Sequence, residues 1–212
     1  DQSDCNLYSG TVYVDSSATG ANTGADWTDA FTDLQDALKA AARCDIDTVK
    51  VAQGTYYPSG QVIIFDRCTG LPLVNAIPDR TISFNIPDSL VMIGGYPSGG
   101  GAISEAKCNP TILSGDIQQD GDLQNNAYHV VTTAGVSDAT CIDGFCIRDG
   151  NAVFLDGDGF PTFRNVGGGW LNSAILLATQ DDMAILSVAS NPKIINCTFV
   201  NNHALIGAGL AN

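Results

Sequence analysis

The chain has 212 residues, a formal net charge of −14, 44% hydrophobic residues and only 15% charged ones. An apolar fraction this high at so low a charge density excludes intrinsic disorder. Nine Lys plus Arg against 23 Asp plus Glu cannot supply the basic stripe that a phosphate backbone needs, an anionic bilayer surface would repel the chain, and no apolar run approaches the roughly 18 residues of a membrane-spanning helix. Nucleic acid and a transmembrane role are therefore not expected.

The acids are mostly Asp, and Asn and Gly are abundant, residues that favour turns over helix interiors. In chain order, residues 11–14 (TVYV) predict a strand and 15–25 a turn-rich stretch. Residues 29–42 predict a helix, with Phe31, Leu34, Leu38 and Ala41 on one stripe. Thr28 or Asp26 is its expected N-cap, and Asp29 and Asp33 suit its positive start. Residues 48–52 (TVKVA) alternate as a strand does, and 54–58 close it with a turn. Beyond that only strand signals occur, at 80–86, 90–93, 111–113 and 129–132, each bounded by Gly, Pro, Asn or Asp. Strands so short, without intervening helices, exclude a doubly wound α/β fold and leave a sandwich, a barrel or a solenoid.

A repeat discriminates among these. Residues 143–152 (DGFCIRDGNA) align with 196–204 (NCTFVNNHA), setting Phe145 and Ile147 against Cys197 and Phe199. Residues 167–172 (GGGWLN) align with 207–212 (GAGLAN). Each copy reads strand, Asn-rich turn, Gly-rich turn, strand, as stacked coils would.

Seven segments, 11–38, 49–58, 92–96 (MIGGY), 109–117 (NPTILSGDI), 128–132 (YHVVT), 142–152 (IDGFCIRDGNA) and 196–212 (NCTFVNNHALIGAGLAN), resemble the N-terminal part of secreted bacterial right-handed parallel β-helix proteins of the pectate-lyase-like type, many of them adhesin-like. The resemblance implies an all-β, right-handed parallel β-helix solenoid with an N-terminal capping α-helix. Residues 1–58 would form the cap and 59–212 the coils, which would continue beyond Asn212. Departures from the family are the cysteines in 65–69 (FDRCT) and 105–109 (EAKCN) and an insertion-like stretch at 176–188.

Seven cysteines without a CxxC pattern favour an oxidising, extracellular or cell-surface location after signal-peptide removal. Cys44, ending the helix, could be tied to Cys5, Cys68 or Cys108, and the odd count leaves a free thiol or an intermolecular bond. Cys197 aligns with an inward position and Cys146 with an outward one.

Chemistry-bearing candidates are few. Asp116, Asp120 and Asp122, with Asn125 beside them, offer oxygens that suit Ca²⁺; Asp156 and Asp158 form a second such pair. The competing reading is solvated turns in which each Asp caps its own backbone. Ca²⁺ is the sole cofactor suggested. His129 and His203 occupy repeat-like positions without metal-ligand spacing, and neither a GxSxG elbow nor a complete phosphate loop is present. Arg148, Asp149 and Asp143 are the nearest to the base-and-acid set of a polysaccharide lyase or hydrolase. Tyr56, Tyr57, Tyr96, Trp27 and Trp170 could stack on sugars or pack in the core, Trp27 pinning the cap. No catalytic residue is assigned. The expected role is structural or adhesive, with a glycan or cell-surface protein as partner. The alternatives are a polysaccharide-degrading enzyme with its site in later coils, and a subunit of a surface filament or secretion-associated assembly that joins copies of itself or secretion machinery.

Overall fold

The computed structural model describes residue 5 and residues 10–60, 64–65, 72–73, 80–103, 110–153, 165–173, 175–178 and 185–212. Three sheets carry the core, and all pairing within them is parallel. The first places Gly10–Val14, Ile46–Ala52, Val91–Tyr96, Cys141–Asp143 and Lys193–Ile195 side by side in that order. The second runs Gly54–Tyr56, Thr111–Ser114, Phe145–Arg148, Thr198–Val200. The third runs Phe84–Asn85, Val131–Ala134, Trp170–Ser173, Leu210–Ala211. Asn151–Ala152 pairs in parallel with His203–Ala204. Two further pairs are antiparallel: Ile64–Phe65 with Pro72–Leu73, and Ile175–Ala178 with Ile185–Val188.

This arrangement corrects the expected all-β, right-handed parallel β-helix solenoid with a capping helix. The described residues form mixed sheets, parallel in the main, with one α-helix and two antiparallel pairs, and no uniform solenoid. The reason lies in the uneven lengths between strands. Paired residues are 34 apart in sequence at Thr111 and Phe145 but 52 apart at Cys141 and Lys193, which no fixed-period coil would give. The insertion-like stretch pairs with itself through a local antiparallel ladder instead of joining a longer sheet.

The internal repeat nevertheless sets the register. Ile147 lies opposite Phe199, Ala152 opposite Ala204, and Trp170 opposite Leu210, as the two sequence alignments predict. The corners repeat as well. Gly144 and Asn196 both have positive φ (83° and 49°), as do Asp149 and Asn201 (63° and 53°). Asn and Asp tolerate this left-handed conformation better than other non-glycine residues. Gly150 is required for a different reason: a Cβ there would lie 1.8 Å from the carbonyl oxygen of Gly168, so the adjoining turns approach closely only because no side chain intervenes.

The helix spans Leu34–Ala41, shorter than the 29–42 expected. Its N-cap is Asp33, whose carboxylate accepts from Gln35 N at 2.8 Å. Neither Thr28 nor Asp26 caps it. Asp26 instead closes its own turn by accepting from the amides of Thr28 and Asp29, and Phe31 bridges to Val14. Leu34, Ala37 and Leu38 are buried against a core that includes Val12, Val14, Val49, Val51, Phe84, Met92, Ile142, Phe145, Ile147 and Trp170. Cys5, just ahead of the first strand, is disulfide-bonded to Cys44, just after the helix. Residues 54–56 form a strand rather than the expected turn, while of 80–86 only Phe84–Asn85 is a strand.

Candidate functional site

Asp116, Asp120 and Asp122 do share one loop, but each carboxylate is turned onto a nearby backbone amide. Asp116 accepts from the amides of Asp120 (3.2 Å) and Gly121 (3.1 Å). Asp120 accepts from Asp122 N and from Asn125 Nδ2, both at 2.9 Å. Asp122 caps the 3-10 turn Leu123–Asn125 by accepting from Gln124 N at 3.0 Å. Of the two readings of this segment, the hydrogen bonds match the self-capped turn. Among the described residues no group of three or more His, Cys, Asp or Glu side chains is placed to hold a metal ion. Asp156, Asp158, Cys68 and Cys108 lie outside the described residues.

Arg148 and Asp149 are brought together, and Asp143 is not. Arg148 Nε donates to Asp149 Oδ2 at 2.6 Å, and the Ser114 hydroxyl donates to the same oxygen at 3.1 Å. Asp143 sits before the intervening corner and accepts from Asn196 Nδ2 at 2.8 Å. His129 is half-buried with Nδ1 3.0 Å from the Gly167 carbonyl, and burial pulls its pKa down against that contact. The free thiols of Cys141, Cys146 and Cys197 all have pKa values raised, first by burial.

Of the aromatic candidates, Trp170 and Tyr56 belong to the core. Trp170 Nε1 donates to Thr133 Oγ1 at 2.8 Å. Tyr56 donates to the Ala52 carbonyl, and burial pushes its phenol up to about 12. Trp27 is half-buried between Tyr13 and Tyr96, with ring centroids 4.9 and 5.1 Å away, and Lys50 Nζ lies 5.6 Å from the centroid of the Tyr13 ring. A Cβ on Gly100 would come within 2.3 Å of the Trp27 ring, so this cluster is covered by the 97–101 loop and pins it to the first sheet.

Polar side chains converge elsewhere. An open groove of about 380 Å³ is lined by Arg80, Leu123, Gln124, Asn151, Val153 and His203. Arg80 is half-buried and rigidly placed. Its Nε donates to the Asn126 carbonyl at 2.6 Å, its Nη2 to the Asn151 carbonyl at 2.7 Å, and its guanidinium carbon stands 4.2 Å from the Tyr128 ring centroid. The backbone returns the contact, Tyr128 N donating to the Arg80 carbonyl at 2.7 Å. Burial lowers the Arg80 pKa from its ordinary 12.5, and the electrostatic influence of Tyr128 opposes this.

The other walls come from the repeat and from the capped turn. Asn151 and His203 are opposite one another in their parallel pair. Asn151 Nδ2 donates to the Leu123 carbonyl at 2.7 Å, fixing the 3-10 turn against the strand and presenting Gln124 at the rim. Asn202 holds the two turns together, donating to the Ile147 carbonyl and accepting from Gly150 N, both at 2.9 Å. Leu123 and Val153 supply exposed apolar surface (39% and 43%). A guanidinium, an amide and an imidazole beside small apolar patches can hydrogen-bond and shelter a small polyhydroxylated ligand. The sequence reading missed Arg80, placing it inside a strand. No protein-family model, curated protein or solved structure matches the chain.

Proposed function

We propose that this is an extracellular or cell-surface protein with a structural and adhesive role, which holds a glycan in the groove formed by Arg80, Gln124, Asn151 and His203. The observation that carries the reading is the convergence of these four polar side chains, from separate parts of the chain, on one open groove. A scaffold of short parallel sheets locks three of them in place through Asn126, Asn151 and the paired strands, and preorganised donors lose little entropy on binding. The Cys5–Cys44 disulfide supports an oxidising compartment. An adhesive role asks for no turnover, and the reading assigns the groove no nucleophile or general base.

The test is glycan-array binding by the whole chain, compared with the double variant Gln124→Ala/His203→Ala. Both side chains lie on exposed positions, so the melting temperature should hold while binding weakens at least about tenfold. Array binding that survives the double variant, or hydrolysis or lyase cleavage of the bound glycan, would overturn the proposal.

A further inference from the structure

Of the six Lys and Arg residues among the described residues, three pair with a carboxylate, and Arg80 is not one of them. The chain carries 23 Asp plus Glu and only nine Lys plus Arg, so a cation has carboxylates in excess to choose from. Lys39 pairs with Asp36, Arg148 with Asp149, and Lys193 comes within 3.8 Å of Asp138. Arg80 is half-buried, yet among the described residues its partners are two backbone carbonyls and an aromatic face, and none is a carboxylate. Desolvating a guanidinium is costly unless an anion compensates it. Two of its five N–H groups are spent on the carbonyls. The described side chains that share the groove, Leu123, Gln124, Asn151, Val153 and His203, bring no negative charge.

We infer that the groove is selective for a carboxylate-bearing sugar, its carboxylate lying against Arg80 with Gln124 and His203 on the hydroxyls; this rests on the glycan reading above and narrows it to one ligand class. The carboxylate would supply a counter-charge that none of the described residues brings, through charge-assisted bonds that are shorter and stronger than neutral ones. A single acidic residue suits the site better than a polyanionic chain, because the net charge of −14 repels an extended polyuronate.

The experiment titrates the whole chain with methyl glucuronoside and with methyl glucoside, which share the ring and differ in the carboxylate. Calorimetry reads affinity, and amide shifts of Asn151, Gln124 and His203 report the place. The acidic sugar should bind at least about tenfold more tightly, and rising salt should erode that preference. Arg80→Gln should abolish the preference. Because Arg80 also ties down the Asn126 and Asn151 carbonyls, the same titrations are run on Arg80→Lys, which keeps the charge but loses the fork and should show a reduced preference. If both variants fail to fold, the wild-type shifts and the salt dependence decide. Equal affinity for the two sugars at the groove overturns the inference and leaves the glycan reading standing. Binding of neither sugar, with no shifts at the groove, removes both. An acidic preference that survives in folded Arg80→Gln, or that maps away from the groove, overturns the inference.

Discussion

The segments 141–152 and 193–204 are copies of one pattern, in register strand for strand, yet their inward side chains have different fates. Ile142, Phe145, Ile147 and Ala152 are 0 to 2% exposed. Their partners Ile194, Cys197, Phe199 and Ala204 are half-buried, and Trp170 at 0% faces Leu210 at 37%. In the first copy Cys141–Asp143 and Phe145–Arg148 have a neighbour on each side, whereas among the described residues the strands of the second copy have a neighbour on one side only. The strand Gly10–Val14 also stands at a sheet end, but Val12 and Val14 are 1% and 0% exposed, because the helix Leu34–Ala41 packs on it. Alternation along a strand decides which side chains point inward; what lies on the far side decides how much water they lose.

The sharpest way to break this comparison is a matched pair of truncations. Ile147→Ala should cost about 2–5 kcal/mol, the range for emptying a buried aliphatic site. Phe199→Ala, directly opposite in register, removes a larger side chain and should nevertheless cost less, because that side chain is already partly in water. Urea melts of the two variants read both values. A cost for Phe199→Ala equal to or above that of Ile147→Ala would show that the exposed copy is as strongly packed as the covered one.

The second expected effect concerns the covered end. The Cys5–Cys44 disulfide spans a sequence separation of 39, and Cys5→Ser should lower stability by about 2–4 kcal/mol through the freed entropy of the unfolded chain. Local protection should follow the contacts. Amide exchange in Gly10–Val14 and the helix should quicken, while that in Thr198–Val200, already at an edge, should barely change. Uniform loss of protection along the whole chain would mean that the two ends unfold as one unit.

The same contrast explains what the sequence could tell. Register was legible, since DGNA and NNHA alone set Asn151 beside His203, and two of the groove's polar side chains follow from that pair. The overall architecture was not. The repeat is short, and it carries no information on how the unequal stretches between copies would pair, so the stretch 176–188 reads as an insertion within the last coil, whereas Ile175–Ala178 and Ile185–Val188 form an antiparallel pair of their own. The helix start was misplaced because Asp26, Asp29 and Asp33 are equally good caps in isolation. Phe31, drawn into a bridge with Val14, leaves only Asp33 free to begin the helix. Arg80 was invisible for a related reason: its two carbonyl partners are 46 and 71 residues away, in segments outside its local pattern. The one available signal was its isolation, since Arg80 is the single Lys or Arg between Arg67 and Lys107.

The smallest expected effect is a pH dependence at the covered end. Asp15 directly follows the first strand, is 2% exposed, and anchors the 97–99 turn. Burial pushes its pKa up, but the bonds from Gly99 N, from Ser17 N and hydroxyl, and from the Ser98 hydroxyl outweigh burial and hold it below the ordinary 3.8. The sign follows from that depression. The folded carboxylate is the stronger acid, so its contribution is complete above the unfolded value and is lost as pH falls from there through the folded one. Asp15→Asn keeps the size and removes the titration. The stability difference between wild type and variant should therefore be constant from pH 7 to about 5 and shrink below about 4. Because Asp15 and its four donors sit beside the first strand, the acid-sensitive part of that difference should appear as amide exchange in Gly10–Val14 and not in Lys193–Ile195. A difference that stays flat down to pH 2 would show that the four donors hold Asp15 no better than water does.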